Sequence, residues 1–264
     1  MKTTFYAIIL SLVFIGCKQG QLEKNYQARA FSTSDDFNGF SKSKQDVLNI
    51  VSTDSVKAND TSFYSVKFKD TTIAIEDNKK VLGSKLAIAK FINTQKTAML
   101  VQVAGKTGSV APFYIISLKD GKPEVVSLAR PSTGKSDQKF TIGLEELTLT
   151  SVMMVNNDFI ITTVNSRVFP LKREKPDERI QGKFFMLSPD RNTVAFLTDS
   201  SIYQVNYMSG MTLTQPIPSK ILSQPESINQ QIQQNYSWQD SKGISFLKPA
   251  ADDNRIVDIS EFKH

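Results

Sequence analysis

Short apolar runs follow one another along most of this chain. From about Ser62 to Thr214 they recur every 8–15 residues: Tyr64–Phe68, Thr72–Ile75, Leu86–Ile92, Ala98–Val103, Phe113–Leu118, Glu124–Leu128, Lys139–Ile142, Leu147–Val155, Phe159–Val164, Phe184–Leu187, Thr193–Leu197, Ile202–Tyr207 and Met211–Thr214. Turn-forming residues separate them, among them Asp77-Asn78, Asp120-Gly121, Asn156-Asn157, Pro189-Asp190 and Ser209-Gly210. Runs this short, rich in β-branched and aromatic residues and bounded by such turns, predict strands. No run in this stretch keeps helical spacing over twelve residues. The expected fold class is therefore all-β.

The pattern inside the runs narrows the architecture. A sheet with one wet face alternates apolar and polar residues. Here AMLVQV, FYIISL, SVMMV, DFIITTV and VAFL are apolar on both faces. Strands buried on both faces need cover on both sides, and the chain offers few helices to supply it. Stacked antiparallel sheets arranged as in a β-propeller meet this need. Four to five blades fit the length, in a ring that is complete or incomplete. A β-sandwich type of architecture with covering loops is the alternative.

Two segments depart from the strand pattern. Residues 43–53 (SKQDVLNIVST) fit a short helix with Ser43 as N-cap, and fit a strand nearly as well. Residues 223–236 place Ile228, Ile232 and Tyr236 at helical spacing. Ser223, Pro225 and Glu226 ahead of them predict a capping box with an early proline. This segment is expected as a covering helix. Strands at Ile244–Leu247 and Arg255–Ile259 follow, the last able to close a ring.

Residues 184–210 read FFMLSPDRNTVAFLTDSSIYQVNYMSG. This resembles one repeat of the TolB-like β-propellers, in which an apolar strand leads into Ser-Pro-Asp-Gly, a second strand, a turn, and Ile-Tyr-x-Val with a closing Gly. The matching residues are Leu187, Ser188, Pro189, Asp190, Val194, Ala195, Phe196, Ile202, Tyr203, Val205 and Gly210. Arg191 stands where the family has Gly, and Asn192 is the expected left-handed residue. Val194, Phe196 and Ile202 are expected in the core, with Pro189-Asp190 as an exposed turn. Weaker echoes begin at Lys90-Phe91-Ile92, Lys139-Phe140-Thr141 and Lys183-Phe184-Phe185, near the length of a propeller blade.

The amino-terminal residues read MKTTFYAIILSLVFIGC. Lys2 and the apolar run from Phe5 to Ile15 have the layout of a signal peptide, too short to span a bilayer. Phe14-Ile15-Gly16-Cys17 resembles the lipobox of bacterial lipoproteins, with Phe14 in place of the usual Leu. The resemblance implies cleavage between Gly16 and Cys17 and acylation of Cys17 with palmitate-type chains. Cys17 is the only cysteine of the 264 residues. Two or three acyl chains hold a protein on a membrane where one does not. The expected organisation is a signal peptide over 1–16, the lipidated Cys17 with a polar tether over 17–42, and one β-rich domain over 43–264.

Composition removes several chemistries. One cysteine allows no disulfide within the chain, and the single histidine, His264, allows no histidine triad or metal cluster. No cofactor and no metal site are expected. Removal of residues 1–16 leaves 248 residues and a net charge of +5, carried mostly by lysine, 25 against 7 arginines. Nucleic-acid recognition favours arginine forks, so no nucleic-acid partner is expected. Ala104-Gly105-Lys106-Thr107 lacks the first glycine of a P-loop. Ser132-x-x-Lys135, Ser136-x-x-Lys139 and Lys106-Thr107-Gly108 stand in the wrong order for a serine acylase. The acidic pairs Asp35-Asp36, Glu145-Glu146 and Asp252-Asp253 read as solvated turns, and Tyr236 with Trp238 as core or edge aromatics. No catalytic set emerges. The function expected is a lipid-anchored binding or assembly module of the cell envelope, in contact with membrane lipid and with a protein partner. The expected place is the outer membrane or the periplasmic face, or the external face in a single-membrane cell. A propeller-fold hydrolase or lyase with an acid/base cleft is the alternative.

Overall fold

The computed structural model describes residues 22–39, 46–53, 62–105, 110–147 and 151–250. The described chain is all-β and propeller-like, with stacked sheets and two short helices near its end. Ten strands come first: β1 (Leu22–Gln27), β2 (Arg29–Ala30), β3 (Leu48–Thr53), β4 (Phe63–Phe68), β5 (Thr71–Asp77), β6 (Lys80–Gly83), β7 (Leu86–Phe91), β8 (Ala98–Val103), β9 (Phe113–Lys119) and β10 (Lys122–Ser127). They form one sheet ordered β1-β5-β4-β7-β8-β9-β10-β2, with β3 paired to β4 and β6 to β5. Only Ala28 separates β1 from β2. β1 runs parallel to β5, Leu22 opposite Thr71, and β2 runs parallel to β10, Arg29 opposite Val126. One segment thus joins both ends of the sheet, which curls into a nearly closed barrel.

Two four-stranded antiparallel meanders of blade form follow. The first holds β11 (Leu144–Glu146), β12 (Val152–Val155), β13 (Phe159–Thr162) and β14 (Arg167–Pro170). The second holds β15 (Lys183–Leu187), β16 (Thr193–Leu197), β17 (Ser201–Asn206) and β18 (Thr212–Pro216). The helices α1 (Ser219–Leu222) and α2 (Ile228–Asn235) and the hairpin of β19 (Tyr236–Ser241) and β20 (Ile244–Pro249) complete the described chain. Among the described residues no helix is long and apolar enough to cross a membrane.

The two-sided apolar runs are explained by the stacking. Successive side chains of a strand point to opposite faces. In β8, Met99, Val101 and Val103 fill the barrel interior, together with Val66, Ile73, Tyr114 and Ile116. Ala98 and Leu100 of the same strand face outward against Met153, Val155, Phe159 and Ile161 of the first blade. That blade turns Met154 and Ile160 towards Val194, Phe196, Tyr203 and Val205 of the second. The second blade in turn packs Ala195 and Ile202 against Ile221, Ile232, Tyr236 and Leu247. Four apolar layers therefore follow one another in series. Each fully buried Val, Ile or Phe contributes ~1.5–3 kcal/mol. The last joint includes one polar contact: Gln204, fully buried, donates to the Leu247 carbonyl at 2.8 Å and accepts from its N–H at 2.6 Å.

The blade repeat at 184–210 behaves as its pattern implies. Val194, Phe196 and Ile202 are buried, and Pro189-Asp190 is an exposed turn. Ser188 Oγ accepts from the Thr193 N–H at 2.9 Å and donates to the Asp190 carboxylate, which closes the turn. The left-handed residue is Arg191, at φ 63°, and not Asn192. The Arg191 N–H closes the turn on the Ser188 carbonyl at 2.8 Å, and its left-handed backbone turns the chain back so that the Ser188 N–H reaches the Thr193 carbonyl at 2.9 Å.

Other expectations are corrected. Residues 22–39 are not a tether. Leu22–Gln27 is a paired strand with mostly exposed side chains, and Phe37 is buried against the outer face of the barrel. Backbone pairing holds this segment rather than an apolar face. Residues 48–53 are strand, not helix. Lys139–Ile142 is not a strand: turns cover 135–140, with Phe140 N–H donating to the Asp137 carbonyl at 3.1 Å, and Thr141 and Ile142 are irregular. Ser223 makes no capping box. It ends α1, and α2 begins only after a 3₁₀ turn at Pro225–Ser227. The strand expected at Arg255–Ile259 lies outside the described residues, as do Gly16, Cys17 and Lys106-Thr107-Gly108.

Candidate functional site

β11 and β15 are the first strands of their blades, and each pairs on one side only among the described residues. Between them lies a cleft of about 450 Å³. Phe140, Ile142, Leu144 and Phe184 give it apolar walls, Lys139 and Lys183 stand at it, and Glu145 enters from β11. Gly182 permits the close approach of β15 to β16. A Cβ there would meet the Phe196 Cβ at 3.0 Å and the Leu197 carbonyl at 3.1 Å.

The two glutamates of β11 have opposite fates because neighbours on a strand face opposite ways. Glu146 is exposed and ion-paired with Lys90 of β7. Glu145 lies opposite Met154, on the face that meets the second blade. Its Oε2 is buried and has no hydrogen-bond partner. Burial pushes the Glu145 carboxyl above its ordinary value. The reading of this pair as solvated turns therefore fails for Glu145. A carboxyl held among apolar groups keeps its proton to higher pH than a solvated one, and its free oxygen is available to a hydrogen-bond donor.

The loops at the cleft are fixed by a charged cluster behind it. Asp158, in the β12–β13 turn, has a side chain only 2% exposed. Arg173 donates to its Oδ1 at 3.0 Å and Arg179 to its Oδ2 at 2.9 Å. Arg130 stands 3.7 Å away and donates to the Leu171 carbonyl at 2.6 Å. Burial pulls the Arg130 guanidinium below its ordinary value although Asp158 opposes this, and Arg173 and Arg179 pull the same way. Asp137 ties the two loops together. It accepts from the Arg179 N–H at 3.0 Å and from Gln181 at 2.7 Å, just before β15 begins. The cleft is thus held at its two edges by one buried ion network.

Other sequence candidates fall elsewhere. Ser132 Oγ accepts from the Arg179 N–H at 3.1 Å and serves the same loop clamp. Tyr236 is buried, its hydroxyl donating to the Pro216 carbonyl at 3.3 Å, and Trp238 is half-buried beside it. Asp35 is bound by both terminal nitrogens of Arg29, each at 2.8 Å. It lines a polar cleft of about 670 Å³ beside β9 and β10, where Glu124 also takes Arg29, at 2.6 Å. In that cleft the carboxylates of Asp35 and Glu124 already have partners, which distinguishes it from the β11–β15 cleft. Glu145 was within reach of the sequence only as half of an acidic pair. Its signal is a carboxylate placed in step with the apolar positions of a strand. A scan against protein-family models finds no match to the chain, and neither does a search of curated proteins.

Proposed function

We propose that this protein is a lipid-anchored binding module of the cell envelope, held to membrane lipid through Cys17. The observation that carries the reading is the position of Cys17. It is the only cysteine, it ends an apolar run led by Lys2, and four residues separate it from Leu22, where β1 begins. An anchor at that place leaves the stacked sheets outside the bilayer and their clefts open to a partner. The β11–β15 cleft is the binding site of this reading, with apolar walls and one carboxyl oxygen to spare. The test is metabolic labelling with palmitate. Wild type should take the label and fractionate with membranes, and Cys17→Ser should do neither. Label that persists on Cys17→Ser removes the reading.

The alternative, a hydrolase or lyase, draws support from the same cleft, because Glu145, Lys139 and Lys183, which line it, are residue types that serve as acids and bases. Turnover of chromogenic esters, phosphates or glycosides that disappears in Glu145→Gln would favour it over binding alone.

A further inference from the structure

The first strand fixes how an anchored protein would lie. This inference rests on the lipid-anchor reading. Four residues between Cys17 and Leu22 reach at most about 18 Å even when fully extended. A tether of twenty-five residues would let the body turn freely over the membrane, and this one does not. The end of the barrel at which β1 begins must therefore face the bilayer.

The strand directions say what is at that end. β1 is parallel to β5 and β2 to β10, so the turns that lead into β5 and β10 lie there, at Lys69-Asp70 and Asp120-Gly121. β8 runs antiparallel to β9, as β10 does, which brings the β7–β8 turn to the same end. Its Lys96 carbonyl accepts from the Leu48 N–H at 2.8 Å. Lys69, Lys96 and Asp120 all sit at positive φ in these turns, and all are exposed.

A cleft of about 360 Å³ opens among the turns. Lys24, Lys69 and Lys122 line it with Tyr26, Phe68 and Thr71, and no acidic side chain does. Lys24 stands over the Tyr26 ring and Lys69 over Phe68. Asp46 pairs with Lys69 at 3.4 Å, and Lys24 and Lys122 make no ion pair among the described residues. Asp70 follows Lys69 outside this lining, and Asp120 lines the adjoining cleft of about 670 Å³ with Asp35, Asp36, Asp46 and Glu124.

We propose that this end of the barrel is the membrane-apposed face, where Lys24, Lys69 and Lys122 of the smaller cleft meet the phosphates of anionic lipid headgroups. Lysine side chains are suited to this contact, as point charges on flexible stems at the bilayer surface. The opposite end of the barrel, at the β5–β6 turn around Lys79, stays away from the membrane, because β5 starts beside Leu22 and ends at Asp77.

The experiment uses the acylated full protein in vesicles of phosphatidylglycerol and phosphatidylcholine. Acylation blocks Cys17, so Thr94→Cys in the β7–β8 turn and Lys79→Cys in the exposed β5–β6 turn each accept one fluorophore. Brominated lipids should quench the label at 94 and spare the label at 79. Quenching at 94 should fall in Lys24→Glu/Lys122→Glu, and should be weaker for wild type in vesicles of phosphatidylcholine alone. Added inorganic phosphate should leave it unchanged. Equal quenching at both positions, or no response to the lysine changes, overturns the proposal while the anchor stands. Reversal by inorganic phosphate overturns the assignment to headgroups. Absence of the acyl mass at Cys17 removes the anchor, and the apposed face with it.

Discussion

Two ion networks pin irregular segments onto this fold, and they differ in burial. Around Asp158 the side chains of Asp158, Arg173 and Arg179 are 2%, 3% and 12% exposed. Around Arg29 the guanidinium is 37% exposed, against 11% for Asp35 and 26% for Glu124. Both use arginine forks on carboxylates at hydrogen-bond distance. The contrast teaches that geometry alone does not set the worth of an ion pair. A half-exposed pair exchanges one good environment, water, for another, and yields ~0–1 kcal/mol. A buried carboxylate with three guanidiniums about it is indispensable once the charges are inside, since removing it leaves them unmatched.

The largest effect should come from Asp158→Asn. It leaves Arg173 buried without its counter-ion, and should cost ~3–5 kcal/mol in urea melts. A loss below about 1 kcal/mol would place the two networks in one class and break the comparison. Phe196→Ala offers an apolar reference in the neighbouring layer. It should cost ~3–5 kcal/mol as a large-to-small core change, and the cost should be the same at low and high salt. The smallest effect should come from Asp35→Asn, about 0.5 kcal/mol at neutral pH and less in high salt, read by the same melts.

Acid sharpens the comparison further. Burial pushes the Asp35 carboxyl up, but its hydrogen bonds from Arg29 and Ser32 pull harder, and it lies below the ordinary carboxylate value. Its stabilisation is therefore complete above the unfolded value of about pH 4 and is lost as pH falls through the folded value. Protection of the Ala28 and Ala30 amides, taken relative to their intrinsic exchange rate, should fall over that range in wild type. In Asp35→Asn it should be about twofold lower already at neutral pH, as about 0.5 kcal/mol implies, and show no such acid step.

What the sequence made legible follows from the kind of force involved. Strands such as β8, β9 and β16 are fixed by apolar side chains, and a pattern of side chains is what a sequence displays. β1 is fixed by backbone hydrogen bonds to β5, and Leu-Glu-Lys-Asn-Tyr-Gln carries no trace of them. Both networks are invisible for a related reason. Asp158 meets Arg173 fifteen residues on and Arg130 twenty-eight residues back, and only the folded loops bring them together. Glu145 was singled out as a member of a pair, yet its burial depends on the second blade lying opposite.

The pairing of β1 and β2 with strands some fifty to one hundred residues further on also orders events in time. Arg29 meets Val126, so the amino-terminal strand must wait, unpaired, until the chain has delivered β10. Contacts so distant in sequence are slow to form, because a long loop has to close first. In a chain that emerges amino terminus first, the start of the protein would be the last piece of the barrel to dock. Until then the edge of β5 is open to other strands. Tethering the free end beside a surface would limit where it can wander during that interval.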